Sequence, residues 1–209
     1  MAARPAPDEE LHHGEATVPR LAATVLLLRG GTSDLEVLLV RRTPRARFMA
    51  GAWVFPGGAV DPDDGEGQAG LRAAAVREVR EEAGVVLGAE SELLAFSNWI
   101  TPAEVKIRFD TWFYLAAMPA GQDPQIDGDE IVDARWLAPS EAVAAGESGE
   151  MTIVFPTLKH LQRISGYESA AQLLSDAREL TIEPVTPRVI GSDEQARIVL
   201  PGEPGYDAG

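Results

Sequence analysis

The chain has 209 residues, of which 45% are hydrophobic, which suffices for one well-buried domain with an appendage. Its net charge of −15 argues against a nucleic-acid backbone as partner, and the absence of cysteine excludes disulfides, thiolate catalysis and thiolate metal sites. No stretch approaches the ~20 apolar residues of a membrane span, and the first residues lack a charged-then-apolar signal pattern, so a cytoplasmic protein without membrane contact is expected.

Residues 1–18 are rich in proline, alanine and acid and read as a mobile tail. His12 and His13 stand in that tail as adjacent residues with no ligand partners in the pattern. Arg20 to Arg29, centred on Val25-Leu26-Leu27-Leu28, reads as a buried strand. Gly30 to Asp34 is a turn and Leu35 to Arg42 a second strand, so the two can form a hairpin. Trp53 to Phe55 is a short strand that enters a Pro-Gly-Gly turn. An Ala-rich helix follows and ends at Gly84, a residue suited to a left-handed stop. Leu93 to Ile100 and Lys106 to Ala117 read as strands joined through Thr101-Pro102-Ala103-Glu104. Arg135 to Leu137 ends another short strand, and Pro139 opens a helix. Phe155 to Ile164 and Ser169 to Arg178 suggest a helical pair, and residues 181–190 and 196–200 late strands. Strands interspersed with helices define an α/β chain; periodicity alone leaves several such folds open.

The Ala-rich helix carries the chemistry. Glu78, Glu81 and Glu82 fall within a sector of roughly 100°. Val76, Val79 and Ala83 cluster opposite, as a core face. Like charges this close repel. A solvated acidic face tolerates them, but the Gly-Gly turn before the helix and the glycine after it favour a bound divalent cation, because Mg²⁺ takes carboxylate, water and phosphate oxygens. Arg77 stands beside Glu78 on a different side, suited to orient a carboxylate or a loop.

The run from Phe55-Pro56-Gly57-Gly58 to Arg77-Glu78-Val79-Arg80-Glu81-Glu82-Ala83-Gly84-Val85 resembles the Nudix hydrolase box, G-x5-E-x7-R-E-U-x-E-E-x-G-U, where U is a bulky aliphatic. Gly58 matches its first glycine, and Arg77 to Val85 match its second half. The family separates glycine and arginine by fourteen positions; here they lie nineteen apart, and Ala69 stands where the box has its first glutamate. Asp61, Asp63, Asp64 and Glu66 are the candidates to replace that glutamate, which in the family is mainly structural. An insertion of turn composition costs little closure entropy.

Upstream, Leu38-Leu39-Val40-Arg41-Arg42-Thr43 through Arg47 and Gly51 to Phe55-Pro56-Gly57-Gly58 and Asp61 is similar to the signature of coenzyme A diphosphatases, L-L-T-x-R-[SA]-x3-R-x3-G-x3-F-P-G-G-x-x-D. Val40 replaces its threonine and Thr43 its serine or alanine. The inserted box resembles that of the peroxisomal branch. Guanidinium forks bind phosphate oxygens, so Arg42 and Arg47 are candidate substrate ligands. Phe48, Met49 and Trp53 read as packing rather than substrate stacking.

The resemblance implies an α/β/α sandwich with a mixed sheet over residues 19–150, and a helical extension over 151–209 packed upon it. It implies Mg²⁺ or Mn²⁺ held by Glu78, Glu81, Glu82 and the Gly58 backbone carbonyl, and hydrolysis of coenzyme A or an acyl-coenzyme A. Hydrolysis of ADP-ribose or NADH is the nearest alternative, and a non-catalytic nucleotide sensor the alternative of another class. The general base is Glu81, or one of two loop acids, Glu104 and Glu130. A homodimer is implied by the family alone.

Overall fold

The computed structural model describes residues 16–46, 48–191 and 197–207. The strands are β1 (Arg20–Arg29), β2 (Glu36–Arg42), β3 (Trp53–Val54), β4 (Gly57–Ala59), β5 (Leu94–Ile100), β6 (Phe109–Ala117), β7 (Ile131–Leu137), β8 (Pro184–Val185), β9 (Arg188–Ile190) and β10 (Arg197–Val199). The helices are α1 (Gly67–Ala83), α2 (Pro139–Ser148), α3 (Phe155–Ile164) and α4 (Ala170–Ala177). The main sheet runs β3-β2-β1-β6-β5-β8, with β4 added to β1 and β7 to β2. It is mixed: β1 lies parallel to β6 and antiparallel to β2 and β4.

Both faces of this sheet are covered, which explains the unbroken apolar run of β1. Successive side chains point to opposite faces, and a strand buried on both faces reads as continuous hydrophobic sequence. Val25 and Leu27 pack with Leu71, Ala74, Ala75, Val79 and Ala83 of α1. Leu26 and Leu28 pack on the other side with Ala142 of α2, Leu161 and Ile164 of α3 and Leu173 of α4. The α/β/α sandwich expected from the sequence is thus the observed architecture. Among the described residues no helix is long and apolar enough to cross a membrane.

Three local expectations change. The segment Gly57–Ala59, read as a turn, is a strand paired with Ala22 to Thr24 of β1. A Cβ at Gly57 would collide with the Ala23 carbonyl and the Thr24 side chain, so glycine allows this close pairing. The β1–β2 hairpin exists only beside its turn, at Leu28↔Val37 and Arg29↔Glu36. Beyond it β2 leaves β1 for β7, paired from Val37↔Leu137 to Arg42↔Ile131. That makes β7 a full seven-residue strand, Ile131–Leu137, longer than the short strand whose end the sequence places at Arg135 to Leu137. Trp53 is buried in the core, as expected.

A buried histidine fastens α3 to the sheet. The Pro156 carbonyl can only accept a hydrogen bond, so His160 Nδ1 carries the proton that meets it at 2.6 Å. Nε2 then accepts from the Ser97 hydroxyl of β5. The ring stacks on Phe113 at 4.1 Å between centroids. Burial pushes its pKa down to about 4, against a partial upward pull from the Pro156 carbonyl. The unfolded chain therefore binds a proton that the fold refuses. Stability from this group is complete above about pH 6.5, falls as the pH drops toward 4, and the loss amounts to about 3 kcal/mol. Urea denaturation of wild type and His160→Gln between these limits measures the slope. The wild type is expected to be the steeper of the two; equal slopes would remove His160 as the cause.

Candidate active site

Three segments meet here: β4, the inserted turn after it, and the C-terminal half of α1. Arg77 joins them. Its Nε and Nη2 donate to the two Asp64 carboxylate oxygens at 3.1 and 2.8 Å, in bidentate geometry. Nη2 also donates to the Ala59 carbonyl at 3.0 Å. Nη1 donates to Glu78 Oε1 at 2.7 Å and to Glu81 Oε2 at 3.1 Å. A guanidinium has five N–H groups, and each has a partner here. Of the four acids offered as replacements for the absent box glutamate, Asp64 makes the paired contact, while Asp61 lies 3.7 Å from Nη2.

The insertion delivers Asp64 by a 3₁₀ turn over Pro62–Asp64. Proline supplies the starting φ, and the Asp61 N–H donates back to Asp64 Oδ2 at 2.8 Å. Arg77 holds the Asp64 carboxyl below its ordinary pKa. Gly84 ends α1 in the left-handed region, with φ of 65° and its N–H on the Arg80 carbonyl, as the sequence suggested.

The three helical glutamates do not form one exposed face. They descend from solvent into the core: the Glu81 side chain is 51% exposed, Glu78 14% and Glu82 6%. The arc estimated from helical spacing holds, but the sheet covers its inner edge. Glu82 Oε2 accepts from the Gly57 N–H at 2.9 Å, and Oε1 lies 3.9 Å from Arg42 Nη1. Burial pushes the Glu82 carboxyl up to about 8; Glu78 and Glu130 push the same way, and Gly57 and Arg42 oppose them. Burial also raises Glu78, less so for the nearby Arg77. Gly58 sits directly on the Glu78 carboxylate, where a Cβ would overlap it.

Glu130 stands next to this site, since its carboxylate acts on Glu82 and its carbonyl accepts from the Thr43 N–H at 2.7 Å. Asp127 braces its loop by accepting from the N–H groups of Asp129, Glu130 and Ile131. Glu104 lies on the β5–β6 connection, with Oε2 buried and without a hydrogen-bond partner. Arg47 lies outside the described residues. Arg42 donates to the Phe48 carbonyl at 3.3 Å and faces a cavity of about 370 Å³ that also touches Gly57 and Gly58. Phe48 and Met49 line that cavity, and Phe48 also packs against the Phe109 ring at 6.0 Å between centroids. Arg20, Phe155, Pro187 and Ile198 line it too, and sequence reasoning missed all four. No local pattern marks them, because only the fold brings both ends of the chain to one wall.

The donor chemistry suits a hard divalent cation: carboxylates gathered without sufficient positive charge, one of them pushed up to about 8. Among the described residues, no three such side chains already enclose a metal-sized point. Glu78 and Glu81 are instead paired with Arg77, at 2.7 and 3.1 Å.

The chain matches the NUDIX domain family model over residues 18–157. It belongs to the Nudix family. Over 182 aligned residues it is 31% identical to a Caenorhabditis elegans protein provisionally named nudix hydrolase 7, covering 70% of this chain and 60% of that one. It is 22% identical to the acyl-coenzyme A diphosphatase NUDT19 of Xenopus laevis, covering 69% of this chain and 63% of that one. The chain therefore spans only 60% and 63% of these two curated relatives. A crystal structure of a NUDIX hydrolase from Alicyclobacillus acidocaldarius superposes with a TM-score of 0.68 at 26% identity, covering 76% of this chain and 96% of that one.

Arg77→Lys keeps the charge and loses the fork. It is expected to cost about 2–4 kcal/mol of stability, against less than about 0.5 for Arg80→Lys on the exposed side of α1. Chemical denaturation measures both, and equal costs would show that the five-bond arrangement is not what holds these segments.

Proposed function

We propose that this protein is a divalent-cation-dependent diphosphatase that hydrolyses coenzyme A or an acyl-coenzyme A. The observation that carries the reading is the arc of Glu78, Glu81 and Glu82 on α1, with Gly58 against Glu78, beside an arginine-edged cavity. The carboxyls suit a cation, and the arginine edge suits an anion. The signature residues Leu38, Leu39, Arg42, Gly51 and Phe55 to Gly58 support coenzyme A, as does the name of the Xenopus laevis relative.

Glu78, Glu81, Glu82 and the Gly58 carbonyl would hold the cation, with Glu78 and Glu81 released from Arg77 as it enters. Bound Mg²⁺ or Mn²⁺ supplies charge neutralisation to the diphosphate oxygens. Arg42 holds and orients an outer phosphate oxygen. A glutamate takes a proton from water, and the water oxygen bonds to one phosphorus. The P–O bond to the bridging oxygen breaks, and the electron pair leaves with the other phosphate. From coenzyme A the products are 3′-phospho-AMP and 4′-phosphopantetheine. Glu81 is the base within the box, and Glu104 and Glu130 are the loop candidates; the influence of Glu130 on Glu82 supports the latter.

Side-by-side hydrolysis of coenzyme A, acyl-coenzyme A, ADP-ribose and NADH, with and without Mg²⁺, tests the substrate. Coenzyme A or its acyl form is expected to be cleaved fastest; faster cleavage of ADP-ribose or NADH would transfer the reading to those diphosphates. Glu78→Gln and Glu82→Gln are each expected to lower kcat at least about a hundredfold while circular dichroism stays unchanged. Near-normal turnover in both would place the cation elsewhere.

A cation that needs the ionised Glu82 must displace its proton. Cation affinity should therefore rise with pH until about 8 and then level off. Calorimetry of Mg²⁺ binding between about pH 6 and 9 reads this directly, and a flat profile would contradict it.

A further inference from the structure

The cavity beside Gly57 and Gly58 draws its lining from outside the family match as well as inside it. Residues 18–157 carry that match, yet Pro187, before β9, and Ile198, on β10, close part of the wall. Ile198 is anchored there, packed with Val105, Val189 and Phe155. The volume of about 370 Å³ falls in the range of small-molecule sites.

The lining has an unusual composition for so acidic a chain. Among the described lining residues there is no aspartate, glutamate, asparagine or glutamine, although the protein holds 33 acids. The only charged side chains are Arg20 and Arg42. The side-chain polar groups that remain are the Trp99 N–H and the hydroxyls of Thr24, Thr101, Thr111 and Thr157. Thr101 Oγ1 accepts from the Phe109 N–H at 3.0 Å, which leaves its own proton to donate. A nucleobase is read through a dense set of donors and acceptors along its edge. This wall offers arginines for a phosphate, apolar surface that includes the rings of Phe48, Phe55, Trp99, Phe109, Phe113 and Phe155, and scattered hydroxyls for amides, but not the edge-reading donors and acceptors that a base needs besides stacking.

Resting on the diphosphatase reading, we propose that this cavity holds the aliphatic, amide-bearing arm attached to the diphosphate, that of phosphopantetheine, and that Ile198 and Thr157 determine its fit. The nucleoside then lies outside the cavity, on the other side of the carboxylates.

Binding of 4′-phosphopantetheine and of 3′-phospho-AMP to the full chain in EDTA tests this without turnover. Ile198→Trp is expected to raise the Kd for 4′-phosphopantetheine at least about tenfold by filling the cavity, and that for 3′-phospho-AMP less than about twofold. Thr157→Val conserves shape and safeguards the test if the tryptophan variant fails to fold. It is expected to raise the Kd for 4′-phosphopantetheine about three- to tenfold through a lost hydrogen bond. If the variants weaken 3′-phospho-AMP instead, the base occupies the cavity and the proposal falls. If neither ligand responds while coenzyme A is still hydrolysed, the proposal falls and the diphosphatase reading stands. If phosphopantetheine binding responds as expected but coenzyme A is not hydrolysed, the cavity assignment stands and the reading of the reaction falls.

Discussion

One guanidinium holds the site together. Arg77 spends all five N–H groups on the inserted turn, on β4 and on two carboxylates of its own helix. Those partners meet around one group although they come from separate stretches of the chain, and each alone is a modest contact. Together they fix where the Gly57–Ala59 strand runs relative to α1. Glu82 can then reach the Gly57 N–H, and Gly58 can lie on Glu78. Arg77 partners Glu78 and Glu81 but does not reach Glu82, which is buried against the Gly57 N–H with Arg42 3.9 Å away. In the proposed reaction a cation would take its place beside Glu82, and it would compete with Arg77 for the oxygens of Glu78 and Glu81.

The inserted box shows how such a site tolerates change. Ala69 at the place of the box glutamate offers Arg77 no carboxylate. The insertion instead ends in a proline-started 3₁₀ turn, and the turn points Asp64 at the guanidinium. A longer connection thus brings a carboxylate to Arg77 at little cost in closure entropy.

Much of the fold was legible because it depends on local pattern. The apolar run of β1, the proline that opens α2 and the glycine that stops α1 are signals of the residues themselves. The pairing of β2 with β7, the strand at Gly57–Ala59 and the depth of Glu82 were not, since each is decided by what the rest of the chain places alongside. Helical spacing put the three glutamates on one arc correctly; it carried no information on where the sheet would cover that arc. The cavity wall was least legible of all. Arg20 and Ile198 stand near opposite ends of the sequence, and no spacing rule connects them.

Anomalous diffraction from crystals soaked with Mn²⁺ and a slowly hydrolysed coenzyme A analogue addresses the central claim most directly. The account predicts a manganese peak in contact with Glu78, Glu81 and Glu82, with Arg77 drawn off at least one of them. A peak remote from α1, with hydrolysis still dependent on Mn²⁺ in solution, would contradict it.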